Sequence, residues 1–254
     1  MLVTEDDGIT IIQFTGGAAS KSFSRDFLPK IRDVIMKHIG CKAIILTGEG
    51  KFFSAGADIN AFKESIKAAD SVDLIRELTG ILHPLLLKMR TSPTIFVAAL
   101  NGASAGGGLG LALACDARIA SPGGKMAASY AGMGLSPDGG TTWLLPRLVG
   151  EQTARRFFLE NQIWSAEEAC HNGAIDEVVA ADKLIQRALQ IAKDWSRWGK
   201  HTKEATKHLL LVQNENDFET HLKHERTLIE AAGITKDFKE GVDAFLEKRQ
   251  PDFS

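Results

Sequence analysis

The chain predicts an α/β protein: an interleaved core followed by a helical C-terminal region. Three observations carry this. KAIILT (residues 42–47) and TIFVAAL (residues 94–100) are apolar, β-branched runs that read as buried strands. Segments with helical spacing alternate with such strands up to about residue 180. After Asp182 the strand signals stop and helical patterns continue to the C-terminus.

In chain order, ITIIQF (residues 9–14) is a short strand, and SRDFLPKIRDVIMKHIG, from Ser24, is a helix that Gly40 stops. The strand at 42–47 ends in the turn GEGK. A helix follows FFSAGAD, and residues 71–89 hold another, in which Pro84 is a candidate kink. Then come the strand at 94–100, a helix at 109–114 and a short strand, ARIA, at 117–120. Beyond Asp182, DKLIQRALQIAKDW, residues 203–232 and residues 235–248 all read as helix. A boundary near Trp198-Gly199-Lys200 separates a core, 1–198, from a helical region, 199–254.

Composition narrows the function classes. With 254 residues, 44% hydrophobic and 24% charged, this is an ordinary globular chain and not a disordered one. A net charge of −2 advertises no nucleic-acid binding. Cys41, Cys115 and Cys170 are odd in number and form no CxxC, which argues against disulfides or a metal site and fits a reducing compartment. MLVTEDDGIT is neither a secretory signal nor an Arg-rich transit peptide, so the expected location is cytoplasmic. Residues 94–115 carry no charge, and Gly102 with Gly106 makes a GxxxG pair, the pattern of a membrane helix. The turn-like Asn101-Gly102, three consecutive glycines and the lack of flanking aromatics favour a buried strand followed by a buried helix.

NGASAGGGLGLALACD, residues 101–116, concentrates five glycines before a helix-like run. Gly102 to Gly106 satisfies G-x-S-x-G, with Ser104 as nucleophile and Asp217 plus His221 or His224 available downstream. The oxyanion-forming HGGG-type segment of that class is missing, and the extra glycines would weaken the helix presenting the serine. A dinucleotide GxGxxG fails because Leu111 stands at its last position, and the Walker pattern fails at Ile45 and Phe52. The remaining reading is a backbone site: glycines before a helix let N–H groups approach an anionic oxygen. A second such loop is Phe53-Ser54-Ala55-Gly56-Ala57-Asp58, where the plain alternative is a turn with Asp58 capping the next helix.

Together the two loops resemble those of the crotonase superfamily, the enoyl-CoA hydratase/isomerase family. FFSAGADI, NGASAGGGLGLALACDARIA, GLSPDGGTTWLLPRLVG, SAEEACHNGAIDEVV and DFKEGVDAFLEKRQPDF follow one another in the family's order over nearly the whole chain. Only residues 15–24 look unlike it. The resemblance implies a spiral of β-β-α units, C-terminal helices that build a homotrimer or dimer of trimers, and an acyl-CoA thioester as substrate with no other cofactor. It assigns oxyanion donation to the N–H groups of Ala57 and Gly107, and lining of the CoA adenine to Ala55, Ala57, Asp58, Ile59 and Asn60. Gly107 would leave backbone rather than a β-carbon facing the oxygen. Lys248 matches a basic position near the CoA phosphates.

Carboxylates then decide the chemistry. The two positions at which hydratases of this family carry Glu hold Gly110 and Tyr130. Asp138, in Ser136-Pro137-Asp138-Gly139-Gly140, stands where two other branches place a working Asp. One is similar to 1,2-epoxyphenylacetyl-CoA isomerase, of phenylacetate breakdown. The other is 4-chlorobenzoyl-CoA dehalogenase, in which the Asp attacks the ring and a catalytic His falls on His83. A single carboxylate suffices for double-bond isomerisation, and an apolar surround of Met133, Trp143 and Leu144 would raise its pKa. The sequence therefore points to an enoyl-CoA isomerase. An atypical hydratase, a dehalogenase-like enzyme, a non-catalytic acyl-CoA binder and the serine hydrolase remain as alternatives.

Overall fold

A computed structural model of the chain describes residues 1–253. Six strands, β1 (Leu2–Asp6), β2 (Ile9–Gln13), β3 (Ala43–Thr47), β5 (Ile95–Leu100), β7 (Ala117–Ala120) and β10 (Glu177–Val178), form one sheet in the order β1-β2-β3-β5-β7-β10. A smaller sheet holds β4 (Phe52–Ser54), β6 (Ala103–Ala105), β8 (Lys125–Ala127) and β9 (Ile163–Ser165), in that order. The helices are α1 (Gly17–Ser20), α2 (Leu28–His38), α3 (Ile59–Ala68), α4 (Ser71–Thr91), α5 (Gly107–Ala114), α6 (Thr141–Val149), α7 (Glu151–Leu159), α8 (Ala166–His171), α9 (Leu184–Ser196), α10 (Lys200–Val212), α11 (Phe218–Ala232) and α12 (Lys236–Glu247).

The topology is a spiral. β3 lies in the large sheet and β4 in the small one before α3 and α4; β5, β6 and α5 repeat the turn, and β7, β8 and α6 repeat it again. The pairs β3–β5, β5–β7, β4–β6 and β6–β8 are all parallel, as such crossovers require. This is the crotonase fold that the motif order implies.

β3 and β5 are buried at every residue, because helices cover both faces of the sheet. On one side Ile12, Leu46, Phe96 and Leu100 pack with α2, α4 and α5 in the main core. On the other, Ile45, Val97 and Ile119 meet Leu184, Ala188 and Ile191 of α9. Residues 94–115 thus form a buried strand, a short second strand and an eight-residue helix. Among the described residues, no helix is long and apolar enough to cross a membrane.

Several elements depart from the sequence expectation. β1 pairs with β2 through Asp7 and Gly8, both at positive φ, the conformation of a tight hairpin turn. Helix α2 starts at Leu28, with Pro29 in its first turn, rather than near Ser24. Helix α4 continues past Pro84 to Thr91. Pro84 removes one N–H from the helical ladder, yet the helix holds because Leu82, Leu85, Leu86 and Met89 on either side of it are buried in the core. The stretch 203–232 is two helices, because Asp217 caps α11 by accepting from the Thr220 N–H.

Lys207 of α10 ties the C-terminal helices to the core. Its ammonium donates to the Met89 and Thr94 carbonyls and to Asp116 Oδ2 at 3.0, 2.8 and 2.9 Å. Burial lowers its pKa below the ordinary lysine range, and Asp116 offsets part of that. Asp116 also accepts from the Phe96 N–H of β5, so the pair joins α10, α4 and the large sheet. Lys207→Ala leaves two carbonyls without this donor and Asp116 with only the Phe96 N–H and Arg90, at 3.9 Å, and is expected to cost about 3–5 kcal/mol in urea unfolding. A change below ~1 kcal/mol would show that the pair contributes no more than a surface ion pair.

Candidate active site

The two glycine loops meet at the adjoining ends of β4 and β6, whose parallel pairing sets Ser54 opposite Ser104. Contact here is backbone on backbone. A β-carbon on Gly56 would lie 2.6 Å from the Ala105 carbonyl oxygen, and one on Gly108 2.3 Å from that of Ser54. One on Gly102 would lie 2.4 Å from the Lys51 carbonyl. Asn101 ties the second loop to β4 and the turn before it: its Oδ1 accepts from the Gly48 N–H, and its Nδ2 donates to the Gly50 and Phe52 carbonyls. The sequence marks Asn101 only as a turn former; its side chain sets the loop register.

These loops wall a cavity of about 660 Å³. Ala55, Ala57, Ile59, Gly107, Tyr130 and Asp138, all expected site residues, line it. The N–H groups of Ala57 and Gly107 have no hydrogen-bond acceptor among the described residues. Around Ala57, Phe23 N–H donates to the Gly56 carbonyl and Asp58 N–H to the Phe23 carbonyl, which leaves the intervening amide free. Gly107 opens α5, where the first N–H groups lack intrahelical partners and the helix dipole favours negative charge. A β-carbon on Gly107 would meet the Phe23 ring at 3.2 Å. Phe23 is itself part of the cavity wall, so glycine at 107 leaves that wall in place beside the amide.

Asp138 reaches the cavity from a rigid turn. Gly139 and Gly140, at φ +63° and +69°, carry the chain into α6. The Asp138 carbonyl accepts from Tyr130 Oη and Thr141 Oγ1, both at 2.9 Å. Burial raises the Tyr130 pKa, so the phenol stays protonated at neutral pH and serves as a donor. The Asp138 carboxyl lies 2.6 Å (Oδ1) from His83 Nε2, on α4, while Oδ2 has no partner among the described residues. Trp143 and Leu144 line a different cavity, of about 600 Å³, so the expected apolar surround is corrected to Met133, Leu78 and Leu82.

Gly110 sits beneath this turn. A β-carbon there would lie 2.4 Å from the Gly139 carbonyl oxygen, so no side chain fits while the Asp138 turn keeps its place. Asp58 caps α3 by accepting from the Asn60 N–H, as the plain reading has it. Burial opposes its charge, but hydrogen bonds from Lys21 and the Asn60 N–H outweigh it and hold the carboxyl below the usual range. Neither Asp58 nor Asn60 lines the cavity, nor does Lys248, which ends α12 in the left-handed conformation. Ser104 is fully buried and donates to the Lys125 carbonyl, while Asp217 and His224 belong to the α11 region. No nucleophile elbow exists here. Phe23, Phe62, Leu78 and Leu82 also line the cavity, and only the i, i+4 apolar spacing on α4 hinted at the last two.

Two sheets wound by repeated β-β-α turns around a backbone-lined cavity define a crotonase-type protein. The enoyl-CoA hydratase/isomerase family model matches residues 4–254, and the chain belongs to that family. It is 34% identical to the 1,2-epoxyphenylacetyl-CoA isomerase of Escherichia coli K12, over 84% of this chain and 81% of that one. It is 32% identical to the 2,3-dehydroadipyl-CoA hydratase of the same organism, over 82% and 79%. Among solved structures, an enoyl-CoA hydratase from Polaromonas sp. JS666 superposes with a TM-score of 0.91 at 25% identity, covering 100% of this chain and 99% of that one.

Gly110→Ala tests the packing under the Asp138 turn. Overpacking is expected to cost about 1–3 kcal/mol, read by thermal melting, and to displace residues 137–140 in a crystal structure. An unmoved turn at wild-type stability would contradict the contact.

Proposed function

We propose that the protein is an enoyl-CoA isomerase that moves a double bond with Asp138 as its single acid/base group. The observation that carries this is the composition of the cavity: among the described residues Asp138 is the one carboxylate lining it, facing the same space as the free N–H groups of Ala57 and Gly107. The thioester oxygen of a 3-enoyl-CoA accepts from both N–H groups. Asp138 Oδ2 removes a proton from C2, and the electron pair delocalises over C4, C3, C2, C1 and the oxygen. The same carboxyl then returns the proton to C4, leaving the conjugated 2-enoyl thioester. Two fixed donors at the forming enolate contribute on the order of 3–4 kcal/mol each. His83 holds Oδ1, which leaves Oδ2 free for the proton.

Hydration needs a second group to handle water, and the two family positions for it hold a glycine that admits no side chain and a phenol bonded to the Asp138 carbonyl. The His83 contact favours one other reading, a dehalogenase-like displacement in which Asp138 attacks an aromatic ring and His83 acts as base. The dehalogenase branch presents a Phe to the aromatic ring at the position that Ala57 fills here, which weighs against it, and halide release from 4-chlorobenzoyl-CoA is its direct assay. The 199–254 region is proposed as an oligomerisation unit, a trimer or dimer of trimers, because Phe218, Ile229, Ile234 and Phe245 stand exposed on or beside α11 and α12.

The test follows the conjugated enoyl-thioester absorbance. A rise with 3-enoyl-CoA is expected, slowed about 10²–10⁴-fold by Asp138→Asn and unaffected by Ser104→Ala. A fall with crotonyl-CoA, retained in Asp138→Asn, would mean hydration and would overturn the reading.

A further inference from the structure

The cavity also restricts the acyl group it accepts. Its walls are Phe23 from the loop before α2, Ile59 and Phe62 from α3, and Leu78 and Leu82 from α4. Met133 and Leu135, 48% and 38% exposed, also line it. Among the described residues, no Lys, Arg or His lines it, and its one acidic side chain is Asp138. The arginines tied to the wall helix are engaged elsewhere: Arg76 pairs with Asp73, and Arg25 with Glu77 at 2.8 Å. Ser20, Thr79, Ser129 and Ser136 also line the space, so a carboxylate at the far end of an acyl chain meets neutral hydroxyls, apolar walls and a like charge, with no cation to replace its lost water.

We infer that the site selects neutral, apolar acyl groups and rejects acyl-CoA esters bearing an ω-carboxylate. The inference rests on the acyl-CoA reading of the cavity and deepens it. It separates two relatives of nearly equal identity: one is named for a neutral phenylacetyl ring, the other for a dicarboxylic chain. By this criterion the chain goes with the first. Removing a methylene changes selectivity only modestly in an apolar pocket, whereas an unpaired buried charge is excluded far more strongly.

The test is calorimetric binding of three saturated esters, octanoyl-CoA, hexanoyl-CoA and adipyl-CoA, to the full-length protein. None can be isomerised or hydrated, so the result is independent of the chemistry assigned to Asp138. Adipyl-CoA is expected to bind at least roughly a hundredfold more weakly than octanoyl-CoA and than hexanoyl-CoA, the neutral ester of its own length, which separates charge from chain length. Met133→Lys, at an exposed wall position, should recover about tenfold of that for adipyl-CoA and none for octanoyl-CoA, with Leu135→Lys as the second variant. Equal affinity of the wild type for adipyl-CoA and hexanoyl-CoA would overturn the inference and leave the isomerase reading standing. Failure of octanoyl-CoA to bind would overturn it together with the acyl-CoA reading.

Discussion

The site depends on one contact, the approach of the β4–α3 loop and the β6–α5 loop to each other through backbone alone. Gly56 against Ala105, Gly108 against Ser54 and Gly102 against Lys51 each leave less than 3 Å for a β-carbon. Any side chain at these three positions would pry the loops apart. Parallel pairing of β4 with β6 supplies the alignment, and Asn101 locks it with three hydrogen bonds to the neighbouring strand–loop backbone. What emerges is a pair of amides, at Ala57 and Gly107, that share one cavity and lack acceptors. Most of the glycines serve the packing that brings the donors together, and only Gly107 is itself a donor.

The same economy governs the acid side. The Asp138 turn packs directly onto Gly110 of α5, so the helix that offers Gly107 also supports the carboxylate. Tyr130 and Thr141 fix the carbonyl of Asp138 and His83 meets its side chain, which leaves one oxygen facing the cavity. Donors and carboxylate are therefore anchored to α5 from two sides, which limits their relative movement. A glycine at position 110 and an aspartate at 138 are linked choices: a larger residue at the first would displace the second.

The long buried strands were legible because β3 and β5 are almost wholly apolar, with β-branched Ile44, Ile45, Ile95 and Val97 among them, and the five motifs marked the family. The small sheet was not. β4, β6, β8 and β9 have three residues each, too few to show a period, and their pairing is set by the large sheet to which the chain returns at every turn. The Asp7-Gly8 hairpin and the Asp217 cap are encoded in one or two residues each rather than in a long periodic pattern. The site was legible at Ala57, Gly107 and Asp138 through motif position. The contact between His83 and Asp138 joins residues 55 apart in sequence, and nothing local to either one encodes it. Trp143 shows the opposite failure: it is near Asp138 in sequence and faces another cavity.

The central claim is that the Ala57 and Gly107 amides converge on a thioester oxygen beside Asp138. A crystal structure of the protein with octanoyl-CoA tests it most directly. The account predicts the thioester oxygen about 2.7–3.1 Å from both amide nitrogens, with C2 facing Asp138 Oδ2. An ester bound with its carbonyl away from either amide, or with C2 turned from Asp138, would contradict it.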